Sequence, residues 1–132
     1  KKRAGSTILT PHDAEFDRLT NSAARTDRFQ AVRNLARDLN AVVLLKGPTT
    51  LISDQSENLV AVNSGNQNLA TAGTGDVLAG MICALYDTEN PLRSVAAAAH
   101  WHGRTGAMAD EGLLASDLPD LLMVSNKMMV AK

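Results

Sequence analysis

The pattern of apolar positions divides the chain into alternating helices and strands. Residues 41–45 form a continuous apolar, β-branched run directly after a helical pattern, which is typical of a strand buried on both faces in a parallel sheet. Short strands are also expected near residues 7–9, 50–53 and 59–63, and a polar turn at 54–58 would join the last two as a hairpin. The pattern predicts an α/β fold with a mixed, mostly parallel sheet flanked by helices.

Two helices are predicted in the first third of the chain. The first should have Thr10 as its N-cap and Pro11 at its first position, and it should run to about Leu19. The second is expected over residues 27–40 behind a Thr26 cap. It is indicated by apolar residues at helical spacing, which are Phe29, Val32, Ala36 and Leu39.

Three further helices are predicted after residue 75. Residues 76–86 are apolar at helical spacing and indicate a largely buried helix. Asn90 followed by Pro91 is typical of an N-cap and the first position of the next helix. Ser116 and Asp117 can cap a last one.

Composition and charge exclude several function classes. The 132 residues fit one domain, and a net charge of -1 with four aromatic residues argues against nucleic-acid and anionic-membrane partners. The single cysteine, Cys83, is expected to be a small buried residue in a reducing compartment. Since no long apolar or signal-like segment is found, we expect a soluble cytoplasmic protein.

The glycine-rich turn at residues 72–76 offers the strongest local sign of chemistry. Glycines let backbone N–H groups approach a phosphate closely, and the positive end of the helix dipole favours the anion. Asp76 lies in the first helical turn, within reach of a hydroxyl that would attack this phosphate, so it is a candidate general base. The motif alone leaves equally open that Asp76 only interacts favourably with the dipole.

A second candidate loop follows the buried strand, where open α/β sheets place ligand-binding residues. It offers a cation, a flexible backbone and two hydroxyls to a nucleotide in residues Lys46, Gly47, Pro48, Thr49 and Thr50. Taken alone, Lys46 is more simply explained as a surface lysine before a Gly-Pro turn.

The three histidines are weak candidates when each is taken alone. His12 lies in the first turn of its predicted helix and could donate to a ligand amide or phosphate, although a solvated surface position is the simpler interpretation. His100 and His102 are two residues apart on a helix, so they face different sides and have no cysteine or carboxylate at metal-site spacing. We expect packing or surface roles for both and assign no metal.

Six sequence blocks follow one another in order along most of the chain. They are Leu9-Thr10-Pro11-His12-x-x-Glu15-Phe16, Val43-Leu44-Leu45-Lys46-Gly47-x-x-Thr50, Gly65-Asn66, Leu69-Ala70-Thr71-Ala72-Gly73-Thr74-Gly75-Asp76-Val77-Leu78-Ala79-Gly80, His102-Gly103-x-x-Gly106 and Ala115-Ser116-Asp117-Leu118. Together they resemble the ADP/ATP-dependent NAD(P)H-hydrate dehydratases. A complete domain of that family is about twice as long, so the resemblance implies that residues 1–132 form its nucleotide-binding, C-terminal half.

The resemblance implies a ribokinase-like fold and a lyase that returns hydrated NADH or NADPH to the normal cofactor. ADP or ATP would phosphorylate the 6-hydroxyl, and phosphate would then leave. Asp76 would be the base, and His12 and Asp76 would face the hydrated cofactor. The residues that match the family's nucleotide-binding positions are Lys46, Gly47, Pro48, Thr49, Thr50 and Gly75. The backbone amides of Gly73, Thr74 and Gly75 would stabilise the charge on the transferring phosphoryl group. Mg²⁺ suits the reaction as a counter-ion, but no carboxylate cluster identifies its ligands.

Two alternatives are kept. The glycine turn also serves ribokinase-like kinases, so a kinase for a hydroxymethylpyrimidine or a sugar is the nearest rival. The other is a non-catalytic half-domain that binds nucleotide or pairs with another chain. Since about four strands are too few for a ribokinase-like sheet, we expect the chain to form a homo-oligomer or to pair with the missing N-terminal half, and to be inactive alone.

Overall fold

The computed structural model describes residues 5–20 and 27–130, which form a sheet between two helical layers. The elements in chain order are β1 (Ile8–Leu9), α1 (Asp13–Thr20), α2 (Arg28–Leu39), β2 (Val42–Leu45), β3 (Thr50–Ser53), β4 (Leu59–Val62), α3 (Thr74–Leu85), α4 (Pro91–Ala107) and α5 (Leu118–Val130), with short 3-10 helices at Gln67–Ala70 and Ala115–Asp117. No helix in these described ranges is both long and apolar enough to cross a membrane.

The sheet has the order β1-β2-β3-β4 and is mixed, as predicted. β2 pairs parallel with β1, with Ile8 opposite Val42, and antiparallel with β3, with Leu44 opposite Ile52. β3 and β4 form the predicted antiparallel hairpin. The expectation of mostly parallel pairing is wrong for the described strands, because two short connections reverse the chain between β2 and β4.

β2 is buried on both faces, which confirms the interpretation of its continuous apolar run. Its successive side chains point to opposite sides of the sheet, so each side has its own core. One core joins Leu44 to α3 and α4 and contains Val42, Leu44, Ile52, Leu78, Met81, Ile82, Val95, Ala98 and Ala99. The other joins Leu45 to α1 and α2 and contains Phe16, Val32, Leu35, Ala36, Val43, Leu45 and Leu51.

The predicted start of α1 is wrong by two residues. The Pro11 carbonyl accepts the Lys46 N–H at 2.9 Å, and this bond keeps Pro11 in the connection between β1 and the helix. His12, rather than Thr10, caps the helix, because its Nδ1 accepts the Glu15 N–H and its own N–H donates to the Glu15 carboxylate.

The two apolar faces expected for α2 and α3 also need correction. Asp27 caps α2 by accepting the Gln30 N–H, and Thr26 lies outside the described residues. Phe29 is half exposed because the buried face of α2 is centred on Val32, Leu35 and Ala36.

α3 is buried along one face only, through Thr74, Leu78, Met81 and Ile82. Cys83 lies outside that face and is exposed, so its expected burial is wrong.

The last two helices begin where the sequence places them. Pro91 occupies the first turn of α4, and Asn90 precedes it at the N-cap, although the Asn90 side chain donates to Asp87 instead of capping the helix. α5 begins at Leu118 after a short 3-10 turn. The Asp117 carboxylate accepts the Leu114 N–H within that turn.

Candidate active site

The structure brings the end of β2 next to the beginning of α3. The half-buried Lys46 directly follows the last residue of β2, and its Nζ lies 3.4 Å from the position that a β-carbon on Gly75 would occupy. Gly75 is the second residue of α3. The two loops singled out from the sequence are therefore neighbours, and a cation lies beside the first turn of a helix whose dipole also favours anions.

Gly73 sets the direction in which the chain enters α3. It is the N-cap and has a left-handed backbone, with φ of 89°. A β-carbon there would also lie 3.0 Å from the β-carbon of Ala115, so both the backbone and the space favour glycine.

Gly75 supplies the free backbone donor of this turn. The N–H groups of Asp76 and Val77 donate to the Gly73 carbonyl at 3.0 and 3.2 Å, and that of Thr74 donates to the Thr71 carbonyl at 3.3 Å. Within the described ranges, the Gly75 N–H has no backbone acceptor. Of the amides expected to contact a phosphate, the one on Thr74 is thus already engaged.

The side chain of Thr74 is buried, whereas that of Asp76 is exposed to solvent. Thr74 is buried, and its hydroxyl oxygen lies 2.7 Å from the Leu69 carbonyl oxygen and 2.8 Å from that of Thr71. The hydroxyl shares its one hydrogen between these two acceptors, which fixes the loop before α3. Asp76 is exposed, one residue beyond Gly75. Its carboxylate is accessible to a ligand at the helix start, while the Thr74 hydroxyl is not.

Glu15 links the predicted substrate residue His12 to the predicted nucleotide residue Lys46. Its carboxylate oxygens lie 3.5 Å from His12 Nε2 and 3.7 Å from Lys46 Nζ. The His12 N–H lowers the pKa of the Glu15 carboxyl, partial burial opposes this shift, and the Lys46 ammonium adds to it. Glu15 was not singled out from the sequence as a site residue, although a glutamate three residues after an N-cap is a known capping signal.

Arg28 fixes the loop that follows Lys46. Its guanidinium donates to the Lys46 carbonyl at 3.2 Å, pairs with Asp13 at 3.2 Å, and lies where any side chain on Gly47 would be. Gly47 is therefore required for this packing. No local sequence signal identifies Arg28, because its contacts join residues far apart in the chain.

The other predicted nucleotide residues continue from this loop into β3. Gly47 and Pro48 are exposed, whereas Thr49 and Thr50 are half-buried. Thr50 is the first residue of β3 and pairs with Val62 of β4. The loop thus combines an exposed turn with a fixed end.

His102 reaches the same turn from α4. The residue is 6% exposed, so of the packing and surface roles expected for it the structure shows packing, and Nε2 lies 3.0 Å from the Thr74 carbonyl oxygen. Burial lowers the pKa of His102, and the bond to Thr74 opposes that shift. The sequence did not reveal this partner. Across residues 5–20 and 27–130, no three His, Cys, Asp or Glu side chains are grouped as metal ligands.

Comparison with known proteins identifies the family. The model of the NAD(P)H-hydrate dehydratase family matches residues 1–126. The ADP-dependent (S)-NAD(P)H-hydrate dehydratase of Neisseria meningitidis is 40% identical over 121 residues, which cover 84% of this chain and 41% of that protein. The bifunctional NAD(P)H-hydrate repair enzyme Nnr of Gloeobacter violaceus is 41% identical over 106 residues, covering 80% of this chain and 21% of that protein.

Solved structures agree in fold. The ADP/ATP-dependent NAD(P)H-hydrate dehydratase of Bacillus subtilis, co-crystallized with ATP/Mg²⁺, superposes with a TM-score of 0.86 and 33% identity over 97% of this chain and 50% of that one. A ribokinase-like superfamily protein of Enterococcus faecalis superposes with a TM-score of 0.75 and 25% identity, over 91% of this chain and 44% of that one. The chain therefore spans about half or less of these proteins. It has a ribokinase-like α/β fold and belongs to the NAD(P)H-hydrate dehydratase family.

Proposed function

We propose that residues 1–132 are the nucleotide-binding half of an enzyme that uses ADP or ATP to dehydrate hydrated NADH or NADPH. The observation that carries this proposal is the position of Lys46 beside Gly75, in a chain of the NAD(P)H-hydrate dehydratase family. A cation and a free N–H at a helix start form a small anion site of the kind that binds phosphate.

The nucleotide phosphates would lie between Lys46 and the first turn of α3. Lys46 would donate a charge-assisted hydrogen bond, and the Gly75 N–H would donate a second bond to the transferring phosphoryl group. The loop formed by Gly47, Pro48, Thr49 and Thr50 would contact the rest of the nucleotide. Its backbone is held by Arg28, which reduces the entropy lost when a ligand binds.

Asp76 would act as the general base. It would accept the proton of the 6-hydroxyl while that oxygen attacks the terminal phosphorus, so that ADP becomes AMP or ATP becomes ADP. The oxygen then leaves the ring as phosphate, pushed out by the lone pair of the ring nitrogen, and loss of a proton from the neighbouring ring carbon restores the double bond. His12, exposed at the start of α1, would contact the hydrated cofactor.

Mg²⁺ would accompany the nucleotide as a counter-ion to its phosphates. Because no cluster of ligand side chains occurs within the described residues, phosphate oxygens and water, rather than side chains, would provide most of its ligands. The structure of the Bacillus subtilis relative with ATP/Mg²⁺ supports this pairing of nucleotide and metal.

We also propose a partner and a compartment. β1 and β4 are the two half-buried edges of the described sheet, and edge strands offer unpaired N–H and C=O groups that further chain or a second copy can cover. The missing half of the domain or another copy would fill that role. The unpaired thiol of Cys83 suits the reducing cytoplasm.

The test is a reaction assay on the whole gene product that contains this chain. Hydrated NADH is supplied with ADP or with ATP, and NADH absorbance and free phosphate are recorded together. A dehydratase releases phosphate as NADH appears, whereas a stable phosphorylated alcohol formed from a pyrimidine or sugar would establish the rival kinase. The 132-residue chain alone should bind ADP but turn over far more slowly than about 1 s⁻¹, because the substrate is not positioned.

A further inference from the structure

His102 lies outside the ligand-contacting residues proposed above, but its bond reaches the centre of the anion site. It projects from α4, while Thr74, its partner, begins α3. A carbonyl oxygen can only accept, so His102 Nε2 must carry the proton in this hydrogen bond. The bond is buried on the side of α3 that faces α4.

The Thr74 carbonyl and the Gly75 N–H belong to one planar peptide group. No cis peptide bond occurs in the described residues, so in this trans peptide the C=O and N–H bonds point in opposite directions. A donor that fixes the carbonyl on the buried side therefore fixes the N–H on the opposite side. That N–H is the one first-turn donor of α3 without a backbone acceptor in the described ranges.

This peptide is the first of α3, so its Thr74 carbonyl already takes part in the helical hydrogen bonds, and His102 adds a second donor to it. Gly75 has no β-carbon and is a weak helix former, so a second restraint on this peptide stabilises its helical orientation. The adjacent Lys46 has its ammonium within van der Waals distance of the empty β-carbon position. A rotated Thr74–Gly75 peptide would present a carbonyl oxygen in place of the N–H and would repel a phosphate.

We propose that His102 is a positioning residue that holds the Gly75 N–H toward the bound phosphate through the Thr74 carbonyl. The inference rests on the proposed nucleotide function and adds a residue that acts without touching the nucleotide. His102 works as a neutral donor, and its burial lowers its pKa, which favours that neutral form at pH 7.

The experiment compares ADP binding by wild-type chain, His102→Leu and His102→Gln, measured by calorimetry at 25 °C. Leucine removes the donor, so ADP affinity should fall by about tenfold or more, as for the loss of one hydrogen bond to a charged group. The amide nitrogen of glutamine can occupy the place of Nε2, so His102→Gln should recover most of the affinity.

Thr105→Val is the matched control. Thr105 lies one turn further along α4, is fully buried, and donates to the Trp101 carbonyl, so its variant also loses a buried hydrogen bond. It should lower stability without changing ADP affinity. Equal affinities for wild type, His102→Leu and Thr105→Val would overturn the inference while leaving the proposed nucleotide site intact. Failure of the wild-type chain to bind ADP would overturn both.

A measurement on the wild type alone covers the case in which His102→Leu does not fold. Long-range ¹H–¹⁵N NMR spectra of the ring distinguish the two neutral tautomers. The inference requires the proton on Nε2 of His102. A ring with its proton on Nδ1 could not donate to the Thr74 carbonyl and would refute the proposal.

Discussion

Replacement of Lys46 by alanine tests whether the junction of β2 and α3 binds a nucleotide. In the structure, Lys46 Nζ lies beside Gly75 and 3.7 Å from the Glu15 carboxylate. The ion pair with Glu15 is solvent-screened, because the two side chains are 31% and 44% exposed. Its loss should therefore have little effect on folding stability. A change in ligand affinity can then be assigned to the lost ammonium.

The expected loss of affinity follows from the hydrogen bond to phosphate. A charge-assisted bond of this kind contributes about 1–3 kcal/mol. Since about 1.4 kcal/mol corresponds to a tenfold change in Kd, Lys46→Ala should weaken ADP binding by roughly 5- to 150-fold. Most of this effect should be lost for adenosine, which has no phosphate to contact the ammonium.

Calorimetric titration of the 132-residue chain with ADP is the assay. Arg93→Ala is the matched control, because it removes one exposed cation from the first turn of α4, nine residues before His102 and thus about 14 Å along the helix. Its ADP affinity should stay at the wild-type value. If Lys46→Ala and Arg93→Ala bind ADP equally well, Lys46 is a surface lysine and our assignment is wrong.

Three other predictions concern catalysis, packing and pH. Asp76→Asn in the active enzyme should lower kcat by about 10²–10⁴-fold with little change in nucleotide Kd. A variant whose kcat equals that of the wild type would show that Asp76 is not the general base. Gly103→Ala should lower the free energy of unfolding by about 1–3 kcal/mol in urea denaturation, because its β-carbon would lie 2.8 Å from the Gly65 nitrogen; an unchanged midpoint would contradict that packing. Burial lowers the folded-state pKa of His102, so the unfolded chain binds its proton more tightly, and stability should fall as pH drops below the unfolded value of about 6.5. His102→Gln should show a smaller decrease in Tm between pH 7 and pH 5, and equal decreases would refute this linkage.

The strands and the hairpin could be predicted because their signals are local. The β2 run has no polar residue on either face, and a polar turn separates two short apolar segments at β3 and β4. The start of α4 could also be predicted, because proline at a first helical position removes only an N–H that has no helical partner.

Other features depend on contacts that the pattern does not contain. The start of α1 is set by a hydrogen bond between Pro11 and Lys46, which are far apart in sequence, and the exposure of Cys83 depends on which face of α3 meets the sheet. The candidate site likewise has residues that sequence motifs identify and a contact that only the folded structure shows. The motifs identify Lys46 and the glycine turn, but the bond from His102 to that turn appears only when α3 and α4 are packed.

An NMR titration of the ¹⁵N-labelled chain with ADP shows directly whether the nucleotide binds where β2 meets α3. The phosphates should lie between Lys46 and the first turn of α3, so the largest amide shifts should occur at residues 46–50 and 73–76, with Gly75 among the most affected. Binding that shifts only distant amides, such as those of the loop around Asp110 and Glu111, would contradict the assigned site. The absence of any shift at millimolar ADP would contradict the proposal that this half binds the nucleotide.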